Sequence, residues 1–147
     1  MDWFNPFGLV FIILIMVPNI VFAIKNRDGF ENSWKNRGAE TLEQIGRYTC
    51  FATMIFNVPF TCFGFLSHEA FVTYLTANGV LVLAYCLIWI VCFRKNSLFR
   101  ALSLSVIPSV IFLFSGIISR SVLLAAGALI FAPCHIIISC KNASAKK

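Results

Sequence analysis

Apolar residues in this chain fall into five long runs, and the charged residues are confined to the gaps between them. Trp3 to Ile24 is the first run, closed by Lys25. Tyr48 to Ser67 follows Arg47, and Ala70 to Phe93 lies between Glu69 and Arg94. Ala101 to Ser119 sits between Arg100 and Arg120, and Ser121 to Cys140 ends at Lys141. Each run is close to the roughly 20 apolar residues that cross about 30 Å of hydrocarbon. The pattern predicts an all-α fold, an integral membrane bundle of five transmembrane helices over about 3–24, 46–67, 70–93, 98–117 and 121–140. These form a single transmembrane domain, with a cytoplasmic loop at 25–45.

The last two runs cannot be one helix. At 1.5 Å per residue it would be about 60 Å long, twice the thickness of the hydrocarbon. The chain must reverse near 116–121, where Gly116, Ser119, Arg120 and Ser121 cluster. Ser97 is placed to cap the fourth helix, which then starts before Arg100 and lets that side chain snorkel to the headgroups. A re-entrant fourth segment is the alternative. The first run is read as a retained helix and not a cleaved leader, because Met1-Asp2-Trp3 lacks the basic start of such leaders.

Basic residues set the expected orientation, because cytoplasmic loops are rich in Lys and Arg. With the N-terminus outside and five crossings, eleven of the twelve bases fall inside and only Arg120 outside. The C-terminus is then cytoplasmic. Trp3 suits the outer interface, and Trp89 and Tyr48 the inner one. In the loop, Asp28-Gly29 reads as a turn. Phe30 and Trp34 lie four apart, as do Glu31 and Lys35, the spacing of a short amphipathic helix. An interfacial anchor is the plainer reading, and a lid or partner-docking surface the sharper one.

Composition agrees with the pattern. Of 147 residues, 59% are hydrophobic and 12% charged, with a net charge of +6. A soluble domain carries roughly 25% charge. A water-soluble globule could not hide this much apolar surface. That excludes a soluble enzyme, a disordered tail and a nucleic-acid-binding domain. The expected setting is a cell membrane, most simply the bacterial cytoplasmic membrane, with the lipid bilayer as partner. A homo-oligomer or a partner membrane protein is also allowed.

Within lipid, helices associate through small and polar residues. Stripes at spacings of three and four mark the inward faces. They are Asn5, Gly8, Ile12, Ile15, Asn19 in the first helix, and Gly46, Cys50, Thr53, Asn57, Thr61, Gly64 in the second. The third carries Tyr74, Asn78, Leu81, Tyr85, Ile88, Cys92 and the fourth Ser105, Ser109, Phe112, Gly116, Ser119. The fifth carries Ser121, Ala125, Ala128, Ala132, His135, Ser139. On these stripes Asn19, Tyr85 and His135 form a candidate layer near the cytoplasmic end, and Asn57 and Asn78 one nearer the midplane. These five are the candidate cavity-lining or ligand-binding residues. Pro18, Pro59, Pro108 and Pro133 lie near polar residues, and each frees a carbonyl one turn earlier. His135 is the one intramembrane group that titrates near neutral pH, which marks it as a functional candidate.

No catalytic residue, metal site or cofactor is expected. The six cysteines form no C-x-x-C pair and read as small apolar residues. Cys86 or Cys92 could approach His135, but no carboxylate lies inside a run to complete a site. Cys140 beside Lys141 is a weak acylation pattern. Glu43 and Arg47 are four apart, so a surface ion pair is the default, as it is for Glu69 with Arg120. Glu40, Glu43 and Arg47 resemble the E-E-x-x-x-R pattern of certain intramembrane proteases, but the acids are three apart and paired histidines are missing downstream.

The outline of five short spans and a long first loop is similar to the tryptophan-rich sensory proteins. With three Trp, the chain lacks that family's loop motifs. The small multidrug transporters have a glutamate in the first helix, and this chain has none there. Segment 107–116, Ile-Pro-Ser-Val-Ile-Phe-Leu-Phe-Ser-Gly, resembles those of small bacterial multi-pass membrane proteins of unassigned activity, a resemblance that implies no activity. The function expected is a non-catalytic bundle that binds a lipid, a small apolar ligand or a partner's transmembrane helix. The alternative is a small oligomeric transporter or channel subunit.

Overall fold

A computed structural model describes residues 3–26, 34–93 and 97–145. The expected Asp28-Gly29 turn, and the Phe30–Trp34 and Glu31–Lys35 pairs, involve residues outside this set. So do five of the eleven inner bases: Arg27, Arg94, Lys95, Lys146 and Lys147.

The described chain forms five α-helices: α1 (Pro6–Lys25), α2 (Arg37–Ile55), α3 (His68–Cys92), α4 (Leu98–Ile118) and α5 (Val122–Ala145). Local chemistry sets their starts. Asn5, Asn36, Ser67 and Ser97 each accept a backbone N–H from the first turn, and Pro6 follows Asn5, where its missing N–H is no loss. The fourth helix is continuous from Leu98 to Ile118. By length and composition α1, α3, α4 and α5 can each cross a membrane. Their outward faces carry large exposed apolar side chains such as Ile24, Leu83, Leu87, Ile90, Ile117 and Leu129. Lipid, and not water, suits such a surface.

The second element departs from expectation. A helix over 46–67 is expected, but α2 covers 37–55 and the rest of the run leaves the helix. The cause is local. Pro59 disfavours helical backbone at the residue before it, and Phe60 and Gly64 both take positive φ. Residues 56–67 instead form a plug whose backbone groups find partners at two neighbours. Asn57 N–H donates to the Trp3 carbonyl at 2.8 Å, and Asn5 N–H to that of Ile55 at 2.7 Å. Phe63 N–H donates to the Arg120 carbonyl, and Val122 N–H to that of Thr61. Non-helical backbone next to hydrocarbon is tolerated when it is satisfied in this way.

Packing follows a ring: α1 touches α3, α3 touches α4, α4 touches α5, α5 touches α2, and α2 returns to α1. The α2–α5 seam is close because Gly46 lies under the Phe131 backbone, where an added Cβ would stand 2.7 Å from its nitrogen. Where α1 meets α2, a Cβ on Gly8 would stand 2.0 Å from the Met54 carbonyl oxygen. That contact is at the plug end only. Toward the other end, which carries Lys25, Arg37, Arg100 and Lys141, α1 and α2 diverge.

Candidate functional site

Toward the basic end, α1 and α2 flank a cavity of about 960 Å³ inside the ring. Ile15, Phe51, Leu104, Phe112 and Phe131 supply its apolar lining. Its exposed lining residues, Ile20, Ala23, Thr41, Gln44, Ile45 and Tyr48, all belong to α1 or α2, so the mouth lies between those helices. The rim is apolar at Ile20, Ile45 and Tyr48, and polar at Thr41 and Gln44.

Two polar walls face each other across this space. The first is formed by α2 and α5. Arg47 donates through Nε to Glu43 Oε1 at 3.1 Å, and its Nη2 forms an ion pair with the same oxygen. His135 Nδ1 lies 2.9 Å from that oxygen. The imidazole stacks on Phe131 with ring centres 4.5 Å apart and planes 20° apart. A carboxylate paired with a guanidinium accepts, so Nδ1 carries the hydrogen on this side of the imidazole. The expected surface pair is thus a correction: Glu43 is only 3% exposed. The stripe Gly46, Cys50, Thr53, extended one turn toward the N-terminus, reaches Glu43 and would have marked it as buried.

The second wall is formed by α1, α3 and the start of α4. Asn19 uses both amide hydrogens, one to the Ile15 carbonyl at 2.8 Å and one to the Tyr85 hydroxyl at 2.7 Å. Pro18 leaves the Leu14 carbonyl without its helical donor, and the Cys86 thiol reaches it at 3.8 Å. That points Cys86 toward α1, while His135 bonds Glu43. Arg100 donates through Nη1 to the carbonyls of Cys92 at 3.4 Å and Phe93 at 3.3 Å, at the end of α3. Its guanidinium also lies 5.0 Å from the centre of the Phe22 ring. This anchoring supplies donors that the last carbonyls of α3 need. Trp89 is buried where an interfacial position was expected. It is 4% exposed and packs on Phe22 at 4.9 Å, since it lies one turn beyond Tyr85 on the buried face of α3.

The five sequence candidates therefore divide. Asn19, Tyr85 and His135 line one cavity. Asn78 and Asn57 lie away from it. Asn78 is fully buried and donates to Ser115 Oγ at 2.9 Å across the α3–α4 seam. Asn57 lies in the plug, where its Oδ1 accepts from the Cys62 thiol at 3.5 Å. Pro59 is displaced with it, out of any helix. Arg120 does not pair with Glu69 among the described residues. Its guanidinium lies 5.6 Å from the Phe63 ring centre. Glu43, Arg47, Trp89 and Arg100 are the cavity residues that pattern reading assigned elsewhere.

No protein-family model matches this chain, and no curated protein or solved structure is significantly similar to it.

Proposed function

We propose that this protein is a non-catalytic, membrane-embedded bundle that binds an amphiphile in the cavity between α1 and α2. The observation that carries this is the lining: an apolar interior large enough for a small ligand, bounded by fixed polar groups at one end and opening sideways between two helices. An amphiphile arriving from the bilayer meets hydrocarbon first along the rim and polar groups deeper in. α2 contributes as a fifth crossing in this reading. Its 19 residues span about 28 Å at 1.5 Å each, and it runs along α5 between the levels of Asn142 and Asn5. The basic end then faces the cytoplasm of a bacterial cell, by the bias of Lys and Arg.

The test is native mass spectrometry of protein released gently from its own membrane. A reproducible adduct on the wild type that disappears in Leu104→Trp, which fills the cavity, supports the reading. An adduct unchanged by that variant, or no adduct at any detergent energy, overturns it. The alternative of a transporter or channel subunit needs a continuous path, and the plug and the Gly8–Met54 contact close the far end of this cavity. A pore would have to run between copies, and flux in proteoliposomes that tracks a defined oligomer would favour it.

A further inference from the structure

The two walls of the cavity differ in what they leave open. On the α1–α3 wall Asn19 spends both amide hydrogens, and Tyr85, which takes one of them, is buried. On the α2–α5 wall two side chains converge on a single oxygen, Glu43 Oε1: Arg47 through Nε and Nη2, and His135 through Nδ1. A guanidinium has five N–H donors. Three of those on Arg47, both on Nη1 among them, therefore have no acceptor among the described residues. The second carboxylate oxygen, Glu43 Oε2, receives no hydrogen bond from the described residues either. Among those residues, the side-chain polar atoms both sealed and without a partner are Asn78 Oδ1 and Trp89 Nε1. Glu43 Oε2 and Arg47 Nη1 are thus accessible. The Arg47 side chain is 35% exposed, and both residues line the cavity.

This wall therefore offers an acceptor and donors side by side, and the two residues that carry them cancel in charge at contact. The acids and arginines of the whole lining balance as well, Glu40 and Glu43 against Arg47 and Arg100. A charged head would give up its hydration without meeting an unmatched counter-charge, and that is costly in an apolar space. An uncharged head with hydrogen-bonding groups loses far less. The apolar lining continues from the same place. Ring contacts run unbroken from His135 to Phe131 at 4.5 Å, on to Phe112 at 5.6 Å and to Phe51 at 5.8 Å. Phe51 lies one turn beyond Arg47 on α2. A hydrocarbon chain that starts at the Glu43–Arg47 pair meets these rings next.

Resting on the amphiphile reading above, we propose that the ligand has an uncharged head that both donates and accepts, and that the Glu43–Arg47 pair receives it. The O–H or N–H of the head donates to Glu43 Oε2, its oxygen accepts from Arg47 Nη1, and its chain lies along Phe131, Phe112 and Phe51. The hydroxyl of a monoacylglycerol and the primary amide of a fatty chain share this chemistry. No bond to Oε1 has to break, so the pair stays closed when the ligand enters.

The experiment uses the full chain in phosphatidylcholine nanodiscs, with empty nanodiscs as the reference, and titration calorimetry of ligands matched in chain length. Monolaurin and lauramide carry uncharged heads that donate and accept. Dodecanesulfonate carries a negative head, dodecylamine a positive one, and methyl laurate accepts only. At least one of monolaurin and lauramide should bind about tenfold or more tightly than each of the other three, the factor expected of one net hydrogen bond. Monolaurin alone showing the preference assigns a hydroxyl head, and lauramide alone assigns an amide. Glu43→Gln leaves the Arg47 charge unmatched and should move the preference to dodecanesulfonate. Arg47→Gln leaves the Glu43 charge unmatched and should move it to dodecylamine. Dodecanesulfonate binding tightest to the wild type would mean that His135 adds a positive charge to this wall, and it overturns the uncharged head; dodecylamine binding tightest does the same. Methyl laurate matching both uncharged donors overturns the bond to Glu43 Oε2. Equal binding of all five, unmoved by either variant, overturns the head on this pair while the cavity reading stands. No binding of any of them to protein with a cooperative thermal transition overturns both. Should either variant fail to fold, the order of the ligands on the wild type decides.

Discussion

At the plug end, α1 and α2 meet backbone to backbone at Gly8 and Met54; at the basic end the same two helices stand apart around a cavity of about 960 Å³. The close end is held by shape and by satisfied backbone groups. Trp3 stacks on Phe56 with centres 5.7 Å apart, Asn5 donates to the Tyr74 hydroxyl at 3.2 Å, and the loop 56–67 hydrogen-bonds both the N-terminal segment and the α4–α5 turn. The open end is held by a few polar groups reaching across a gap. In a bilayer there is little hydrophobic drive between helices. Close fit at one end therefore has to supply what the cavity forfeits at the other. Stability and binding are divided between the ends of one bundle, and each can be perturbed alone.

The largest effect should come from breaking the close end. Gly8→Ala places a methyl where the Met54 carbonyl already stands, and the helices must separate. A loss of about 3 kcal/mol, the upper part of the overpacking range, should appear as a lower melting temperature in detergent. An unchanged melt would mean that α1 and α2 do not meet there. Gly79→Ala is its control, because nothing lies within 4 Å of the new Cβ.

Glu43→Gln should come next. It removes the charge that holds both Arg47 and His135, and a loss of about 2 kcal/mol is expected for stranding hydrogen-bonded partners. Arg47 keeps some access to solvent, which holds the loss below the roughly 3–5 kcal/mol of a fully buried broken pair. The loss is read as a lower melting temperature of Glu43→Gln in detergent at neutral pH; an unchanged melt would mean that the carboxylate does not hold Arg47 and His135 in place.

Ser115→Ala should act more weakly, through the seam between α3 and α4. Asn78 Nδ2 then loses its acceptor while its Oδ1 already has no partner among the described residues. About 1 kcal/mol is the expected cost, with no change in ligand binding, since neither residue lines the cavity. A binding defect in Ser115→Ala would join the two regions that the structure separates. The smallest effect belongs to Gly79→Ala itself, within about 1 kcal/mol and in the stabilising direction, because Ala favours helix over Gly.

How much of this was legible depends on the physical signal each feature leaves. Four of the helices were readable to within about five residues, because lipid demands long charge-free runs and Ser97 marks the start of one of them. On the third-helix stripe Tyr74, Asn78, Tyr85 and Cys92 are buried while Leu81 and Ile88 are half-buried, and the fourth-helix stripe Ser105, Ser109, Phe112, Gly116, Ser119 is buried throughout, since a helix puts positions three and four apart on one face. The grouping of Asn19, Tyr85 and His135 was legible for the same reason, by depth along each helix. Glu43, Arg100 and Trp89 were misassigned because a charge or an indole near a helix end reads as surface or interface until a neighbour is known to cover it. The second helix was misplaced because a charge-free run marks what lipid tolerates, and Pro59 ends a helix whatever the hydropathy of the residues around it.

The sequence alone thus determined a helical chain with four apolar helices of membrane-crossing length, because solvation and backbone periodicity act residue by residue. The ring order of the helices, the plug at one end, the separation of α1 from α2 at the other, and the unequal walls of the cavity were decided only by the tertiary structure. They depend on which atoms from distant parts of the chain meet, as Glu43 meets His135 and Gly8 meets Met54, and no local pattern carries that information.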